Sequence, residues 1–192
     1  MSTIEGSDAT GGGRDDVIGI GDALDDEIEL RVTEAFDTFY RRELPGLVAL
    51  ARSLSGSIWA DDIAQDAMLA AYRRWDMVGS MDLPAAWVRR ACANRAISTL
   101  RRRAVEIRGL GKLVLQRERP TPLGDDLEEF WGQVRKLPRR QAQAIALHYV
   151  YDLGVAEIAT TLGCAEGTVK SNLFRGRAAL AATLNQPLEG DS

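Results

Sequence analysis

The sequence predicts an all-α protein, two small helical domains joined by a flexible linker, with a helix-turn-helix in the second. Three observations carry this. Apolar residues recur at helical spacing from Leu30 to Leu100 and again from Leu127 to Leu180, the pattern of amphipathic helices packed on one face. No stretch offers a convincing β-branched alternation. Between the helical regions, Gly109, Gly111, Pro120, Pro122 and Gly124 punctuate the chain as a linker does.

Composition narrows the classes of function. The chain has 192 residues, 45% of them hydrophobic, with a formal net charge of −4, which suits one medium domain or two small ones around a core. One His and 6% aromatic residues leave little material for metal or acid–base chemistry, so no metal, cofactor or small-molecule substrate is expected. No phosphate-cradling Gly loop, nucleophile–base pair or metal-ligand cluster supports an enzyme. Cys92 and Cys164 stand alone, without a CxxC partner, as in a reduced cytoplasmic protein. No apolar run approaches the roughly 18–20 residues of a bilayer span, and the N-terminus lacks a signal-peptide pattern. No membrane insertion is expected.

The elements follow in order. Residues 1–29 form an acidic, Gly-rich leader: residues 1–30 hold nine acids against one base, Arg14, and six of the 18 glycines fall in the first 25 positions. So little apolar surface cannot offset ordering entropy, and disorder is expected. The first domain, residues 30–104, opens with Ala35, Phe36, Phe39, Tyr40, Leu47, Val48, Ala51 and Leu54 at helical spacing. Pro45 is expected to divide or kink that stretch. Asp61 and Asp62 begin the next helix, where carboxylates favour the positive dipole end. Its stripe reads Ala64, Met68, Tyr72 and Trp75, with Ile63, Ala67 and Ala71 beside it. A break at Met77–Leu83 precedes Pro84, which suits a first helical turn. The helix it opens carries Trp87, Ala91, Ala93, Ile97 and Leu100 and ends in Arg101, Arg102 and Arg103. Cys92 is expected to be buried.

Residues 105–124 are the linker, with a turn of helix conceivable at Leu113–Leu115; extended, some 20 residues reach roughly 65–70 Å. That is about two duplex turns of ~34 Å, so the domains can separate widely. The second domain, residues 125–184, begins with Leu127, Phe130, Trp131, Val134 and Leu137, and Pro138 opens a helix with Ala142, Ile145, Ala146 and Tyr149 inward. His148 near its end reads as structural. Residues 185–192 form a short tail.

Two closely spaced patterns then follow: Val155, Ile158, Ala159 and Leu162, and Val169, Leu173 and Leu180, separated by Gly163–Cys164–Ala165. A short helix, a turn and a longer helix make a helix-turn-helix. Gly163 supplies the positive φ where the first helix stops, and Gly176 permits close approach. Gly154 sits at the N-cap, where Glu157 can reach back to it. The outward face presents Thr168, Lys170, Ser171, Phe174, Arg175 and Arg177, side chains suited to phosphates and base edges. The acidic total does not oppose this, because residues 131–183 carry seven bases against three acids and binding follows local patches.

These residues resemble a known family. Val155–Gly163 followed by Gly167–Leu180 is similar to the fourth domain of bacterial sigma factors. Independently, Phe36–Tyr40, Asp61–Ala67 and Trp87–Asn94, leading to Leu100–Arg103, resemble the second sigma domain. With no room for a third domain between them, the chain resembles the extracytoplasmic-function (ECF) group of the sigma-70 family. The resemblance implies a non-enzymatic factor that binds core RNA polymerase, directs it to promoter DNA and helps open the duplex, with an anti-sigma factor as a further partner. It implies that Asp62, Gln65 and Asp66 dock on the polymerase. It places Met77, Gly79, Ser80, Asn94, Arg95, Arg101, Arg102 and Arg103 at the −10 element, where an unstacked base is captured. Thr168, Lys170, Ser171, Phe174, Arg175 and Arg177 fall at the −35 element. Ser98 departs from the family, which often has Asp there. The competing class, a one-component helix-turn-helix regulator that binds DNA without polymerase, leaves residues 31–103 unexplained.

Overall fold

In a computed structural model of the chain, the described residues are 18–56, 58–109 and 125–184. Residues 1–17 of the leader, the Leu113–Leu115 turn, the Arg103 side chain and the 185–192 tail lie outside them. Among the described residues the secondary structure is eight helices: α1 (Ile18–Ser55), α2 (Ala60–Tyr72), α3 (Trp75–Val78), α4 (Pro84–Gly109), α5 (Asp125–Lys136), α6 (Arg139–Tyr151), α7 (Val155–Leu162) and α8 (Glu166–Leu184).

In the first module α1, α2 and α4 pack on one another with the one-turn α3 at their edge. Leu47, Leu50 and Leu54 of α1 meet Ile63, Ala67 and Met68 of α2 and Val88, Ala93 and Ala96 of α4 in one core. The many alanines let the helix axes approach closely, and each enclosed Leu contributes about 1.5–3 kcal/mol. Asp61 and Asp62 occupy the first turn of α2, where the helix dipole favours them. Cys92 is buried, and its thiol donates to the Leu47 carbonyl at 3.5 Å.

Four boundaries differ from the sequence reading. Helix α1 begins at Ile18, so helical backbone extends into the segment whose composition predicts disorder. The same helix runs through Pro45 without dividing. Loss of one backbone donor there is outweighed by buried Phe39 and Leu47 on either side, a tertiary override of local preference. Tyr72 and Trp75 do not share one helix: α2 ends at Tyr72, and Trp75 opens α3. Helix α4 continues to Gly109, past the expected linker boundary.

The second module packs α5, α6 and α7 around α8. Trp131, Val134, Ala142, Ile145, Ile158, Leu162, Val169, Leu173 and Leu180 fill its core. Leu127 and Tyr149, expected inward, are exposed; Tyr149 instead stacks edge-on against Phe130 at 5.9 Å between ring centres. His148 is structural as expected, its Nδ1 lying 2.9 Å from the Leu153 carbonyl, which requires Nδ1 to carry the proton. Gly176 faces α6 so closely that a Cβ there would lie 3.0 Å from Ile145 Cγ1.

The modules are not apart. Helix α1 packs against α5 and α6, and α4 packs against α7. The linker length bounds how far they can separate; apolar and polar contact decides that here they touch.

Gly176→Val is expected to cost about 1–3 kcal/mol by overpacking the α6–α8 contact. Gly167→Ala, where an added Cβ meets nothing within 4 Å, is expected to gain up to about 1 kcal/mol from helix propensity. Urea unfolding of both variants reads this out; equal midpoints for Gly176→Val and wild type would contradict the packing.

Candidate nucleic-acid interface

The helix-turn-helix is built from local chemistry. The Gly154 amide donates to the Glu157 carboxylate at 2.8 Å, closing the start of α7. Gly163 adopts φ 63°, a left-handed conformation that costs glycine nothing. The next amide, Cys164 N–H, then donates back to the Ala159 carbonyl at 3.0 Å, five residues earlier, as in a Schellman stop. This turn sets the angle at which α8 departs.

On α8, Val169, Leu173, Gly176 and Leu180 are buried, while Thr168, Lys170, Ser171, Phe174, Arg175 and Arg177 are all exposed. The exposed set falls into two stripes at helical spacing. Thr168, Ser171 and Arg175 lie along one. Lys170, Phe174 and Arg177 lie along the other, bordering an open groove of about 470 Å³ with Val155, Leu173, Ala178 and Ala181. Phe174 is 75% exposed, a large ring left uncovered by its own module. Arg177 stands 5.8 Å above the Tyr149 ring, which tethers its guanidinium without neutralising it.

In the first module, Asp62, Gln65 and Asp66 share the exposed side of α2. Gln65 and Asp66 border a groove of about 420 Å³ whose walls are Phe36, Tyr40, Met68, Leu69 and Tyr72. Leu69 and Tyr72 are exposed beside the carboxylate. Leu69 carries no signal in the sequence and Tyr72 falls in the apolar stripe, because an apolar residue on a helix looks the same whether a neighbour or open water faces it. Met77, Gly79 and Ser80 form the end of α3 and the following turn, all exposed, with the Ser80 hydroxyl donating to the Met77 carbonyl at 2.9 Å. Gly79 lies against Trp75, where a Cβ would meet the Trp75 carbonyl oxygen at 2.8 Å.

Arg95, Arg101 and Arg102 are exposed along α4. Arg95 donates to the Asp66 carboxylate at 3.0 Å, so the two predicted surfaces of this module meet through one exposed ion pair. Such a pair contributes about 0–1 kcal/mol and exchanges readily. Asn94 is placed differently: its side-chain oxygen accepts from Arg139 at 2.6 Å and from Gln143 at 2.8 Å, both on α6 of the second module. Sequence alone offers no route to that contact. Among the described residues no group of three or more His, Cys, Asp or Glu could hold a metal ion, and no helix is long and apolar enough to cross a membrane.

A compact helical module bearing exposed arginines, beside a helix-turn-helix with an uncovered polar and aromatic face, defines a DNA-binding protein of two modules. Family models agree with both halves: the description "Sigma-70 region 2" matches residues 39–105 and "Sigma-70, region 4" matches residues 127–180. The ECF RNA polymerase sigma factor SigM of Mycobacterium tuberculosis is 35% identical over 154 residues, covering 78% of this chain and 77% of that protein. EcfG of Rhodopseudomonas palustris is 32% identical over 73% of this chain and 80% of its own length. Among solved structures, the sigma factor RpoE in complex with the anti-sigma factor NepR from Bartonella quintana matches with a TM-score of 0.62 and 28% identity, over 81% of this chain and 98% of that one. CnrH in complex with the cytosolic domain of CnrY matches with a TM-score of 0.60 and 25% identity, over 80% and 89%. The chain belongs to the ECF group of the sigma-70 family. It is a sigma factor, a transcription initiation factor that works with core RNA polymerase at promoter DNA.

The cysteines differ in reach. Burial pushes the Cys92 thiol up to about 12, whereas Cys164 is half-buried in the turn. Iodoacetamide at pH 8 is therefore expected to label one thiol of the native protein, Cys164, and the second only after unfolding; two native labels at similar rates would contradict the burial. The sign for stability follows: the contribution of neutral Cys92 is complete below its unfolded value of 9.0 and is lost as pH rises above it.

Proposed function

We propose that this sigma factor reads the −35 element with α8 and captures the −10 strand with the α3–α4 turn and α4, while α2 docks on the polymerase. The observation that carries the reading is the uncovered face of α8, six polar, basic and aromatic side chains with no partner module over them. Thr168, Ser171 and Arg175 form the stripe suited to base edges and adjacent phosphates, and Phe174 offers an apolar surface to a thymine methyl. Lys170 borders the stripe as a further donor to base edges, and Arg177 flanks it as a cation for phosphate oxygens. In the first module, Met77, Gly79 and Ser80 line the turn for an unstacked base, with Asn94, Arg95, Arg101, Arg102 and Arg103 following the strand. Capture of that base offsets the stacking energy lost on melting.

Asp62, Gln65 and Asp66 with the apolar groove beside them form the polymerase surface. Carboxylates rimming exposed Leu69 and Tyr72 suit a partner helix that carries basic residues around an apolar stripe. The solved relatives bound to anti-sigma factors support an anti-sigma factor as a regulator of this chain too, acting in the cytoplasm. A stand-alone regulator would leave the α2 groove without a purpose, and no observation favours it.

Run-off transcription with sigma-free core enzyme and a genomic promoter library tests the function; absence of start-site-selective RNA would sink it. Lys170→Ala and Arg175→Ala are each expected to weaken promoter recognition by about 1–3 kcal/mol while polymerase binding persists. Footprints identical to wild type in both variants would remove the −35 assignment. Asp62→Arg with Asp66→Arg is expected to abolish co-purification with core polymerase in a chain that still folds; undiminished co-purification would refute the docking surface.

A further inference from the structure

One exposed ring on α6 has an ordered set of partners. Tyr149 stands 53% exposed, yet neighbouring rings hold it in place. Trp131, in the core of the second module, meets Phe130 edge-on at 4.9 Å between ring centres, and Phe130 meets Tyr149 edge-on at 5.9 Å. The His148 ring lies edge-on to Tyr149 at 5.0 Å and is itself bonded to the Leu153 carbonyl. A row of three rings therefore leads from the core to the surface. The guanidinium of Arg177 on α8 lies over the last of them, 5.8 Å from its centroid.

No acid stands where it could pair with Arg177 along its own helix. One turn to either side are Leu173, Phe174, Leu180 and Ala181, and from Gly167 to Leu184 there is neither Asp nor Glu. The facing helix α6 carries none either. Arg89, Arg95 and Arg135 are held by the carboxylates of Glu43, Asp66 and Glu128; Arg177 is held by a ring. That difference matters for meeting an anion. A carboxylate fixes a guanidinium by occupying the N–H donors that a phosphate needs, and its charge repels the phosphate. A ring face attracts the cation through its quadrupole, and the five N–H donors stay free on an exposed side chain.

We propose that Tyr149 is a positioning residue for promoter recognition: its ring holds the Arg177 guanidinium in the pose that meets a backbone phosphate of the −35 duplex, and its hydroxyl takes no part. This rests on the assignment of α8 to the −35 element. The contact is assembled across two helices, with the residue that touches DNA on α8 and the residue that orders it on α6. An unsupported arginine gives up the rotamer freedom of a long side chain when it grips an anion. One already resting on a ring has lost part of that freedom before DNA arrives, so the preordered side chain binds more tightly.

Two variants separate the ring from the hydroxyl. Tyr149→Phe keeps the ring; Tyr149→Leu removes it and places a better helix former at a position the core does not enclose. The full chains are read first without DNA. In proton–nitrogen NMR spectra the Arg177 Nε–H signal is assigned by its absence in Arg177→Lys. The ring is expected to shift it upfield in wild type and Tyr149→Phe, and the shift is expected to vanish in Tyr149→Leu. Holoenzyme assembled from each chain and core polymerase is then titrated with a promoter fragment found by run-off transcription. Tyr149→Leu is expected to bind about two- to fivefold more weakly, the range set by a ring–cation contact at an exposed site, and Tyr149→Phe to match wild type. In an Arg177→Ala background Tyr149→Leu is expected to add no further loss, the coupling that a double-mutant cycle measures. The proposal is overturned if Tyr149→Leu leaves the Arg177 signal in place or binds as wild type does. It is equally overturned if Tyr149→Phe is as weak as Tyr149→Leu, or if the loss persists in full without Arg177, as a merely structural role requires. Thermal unfolding followed by circular dichroism checks folding, with Tyr149→Gln as the ringless variant should Tyr149→Leu not fold. The NMR reading needs no promoter, so absence of run-off RNA would defeat the sigma assignment while the Arg177 signal still reported on the ring.

Discussion

Helix α1 is the beam on which the other contacts depend. It packs on α2, α3 and α4 of its own module and on α5 and α6 of the other. Leu47, Leu50 and Leu54, each almost fully enclosed, supply the apolar surface that short alanine-rich helices cannot provide for one another. A helix of eight to thirteen residues with one apolar stripe is marginal in water; the stripe must find a partner. Continuity of α1 through Pro45 follows from this demand, since dividing the helix would misalign Phe39 and Leu47 against a shared core.

The same beam carries two kinds of surface. One side is closed by the core. The other carries the seam, where the Tyr151 ring of the second module lies against Gly46 and beneath the Arg89 guanidinium, which Glu43 holds within the first module. Buried apolar residues of both modules join in one cluster, so apolar burial holds the seam beside the Asn94 hydrogen bonds and the Arg89–Tyr151 stack.

Much of the site was legible before the structure. The buried set Val169, Leu173, Gly176 and Leu180 fixed which face of α8 looks outward, because a helix with one side committed has the other left to solvent. Gly163 and Glu157 announced the turn and the cap through chemistry that acts within a few residues. Tyr72, Tyr149 and Leu127 were less readable: periodicity marks a side of a helix but not where along it the neighbouring element ends. Helical backbone from Ile18 and past residue 104 was also illegible, since composition reports burial and not the reach of a helix continuing outward from a packed end.

From its own order of residues the chain determined the all-α class, the two modules, the helix-turn-helix and the family, since these rest on local periodicity, capping and short-range motifs. Only the tertiary structure decided that Asn94 faces Gln143, that Tyr151 lies on Gly46, and that an apolar groove stands beside Asp66. Those facts join residues far apart in the chain. Their pairing is set by which surfaces fit once the helices exist, and no spacing in the sequence encodes that fit.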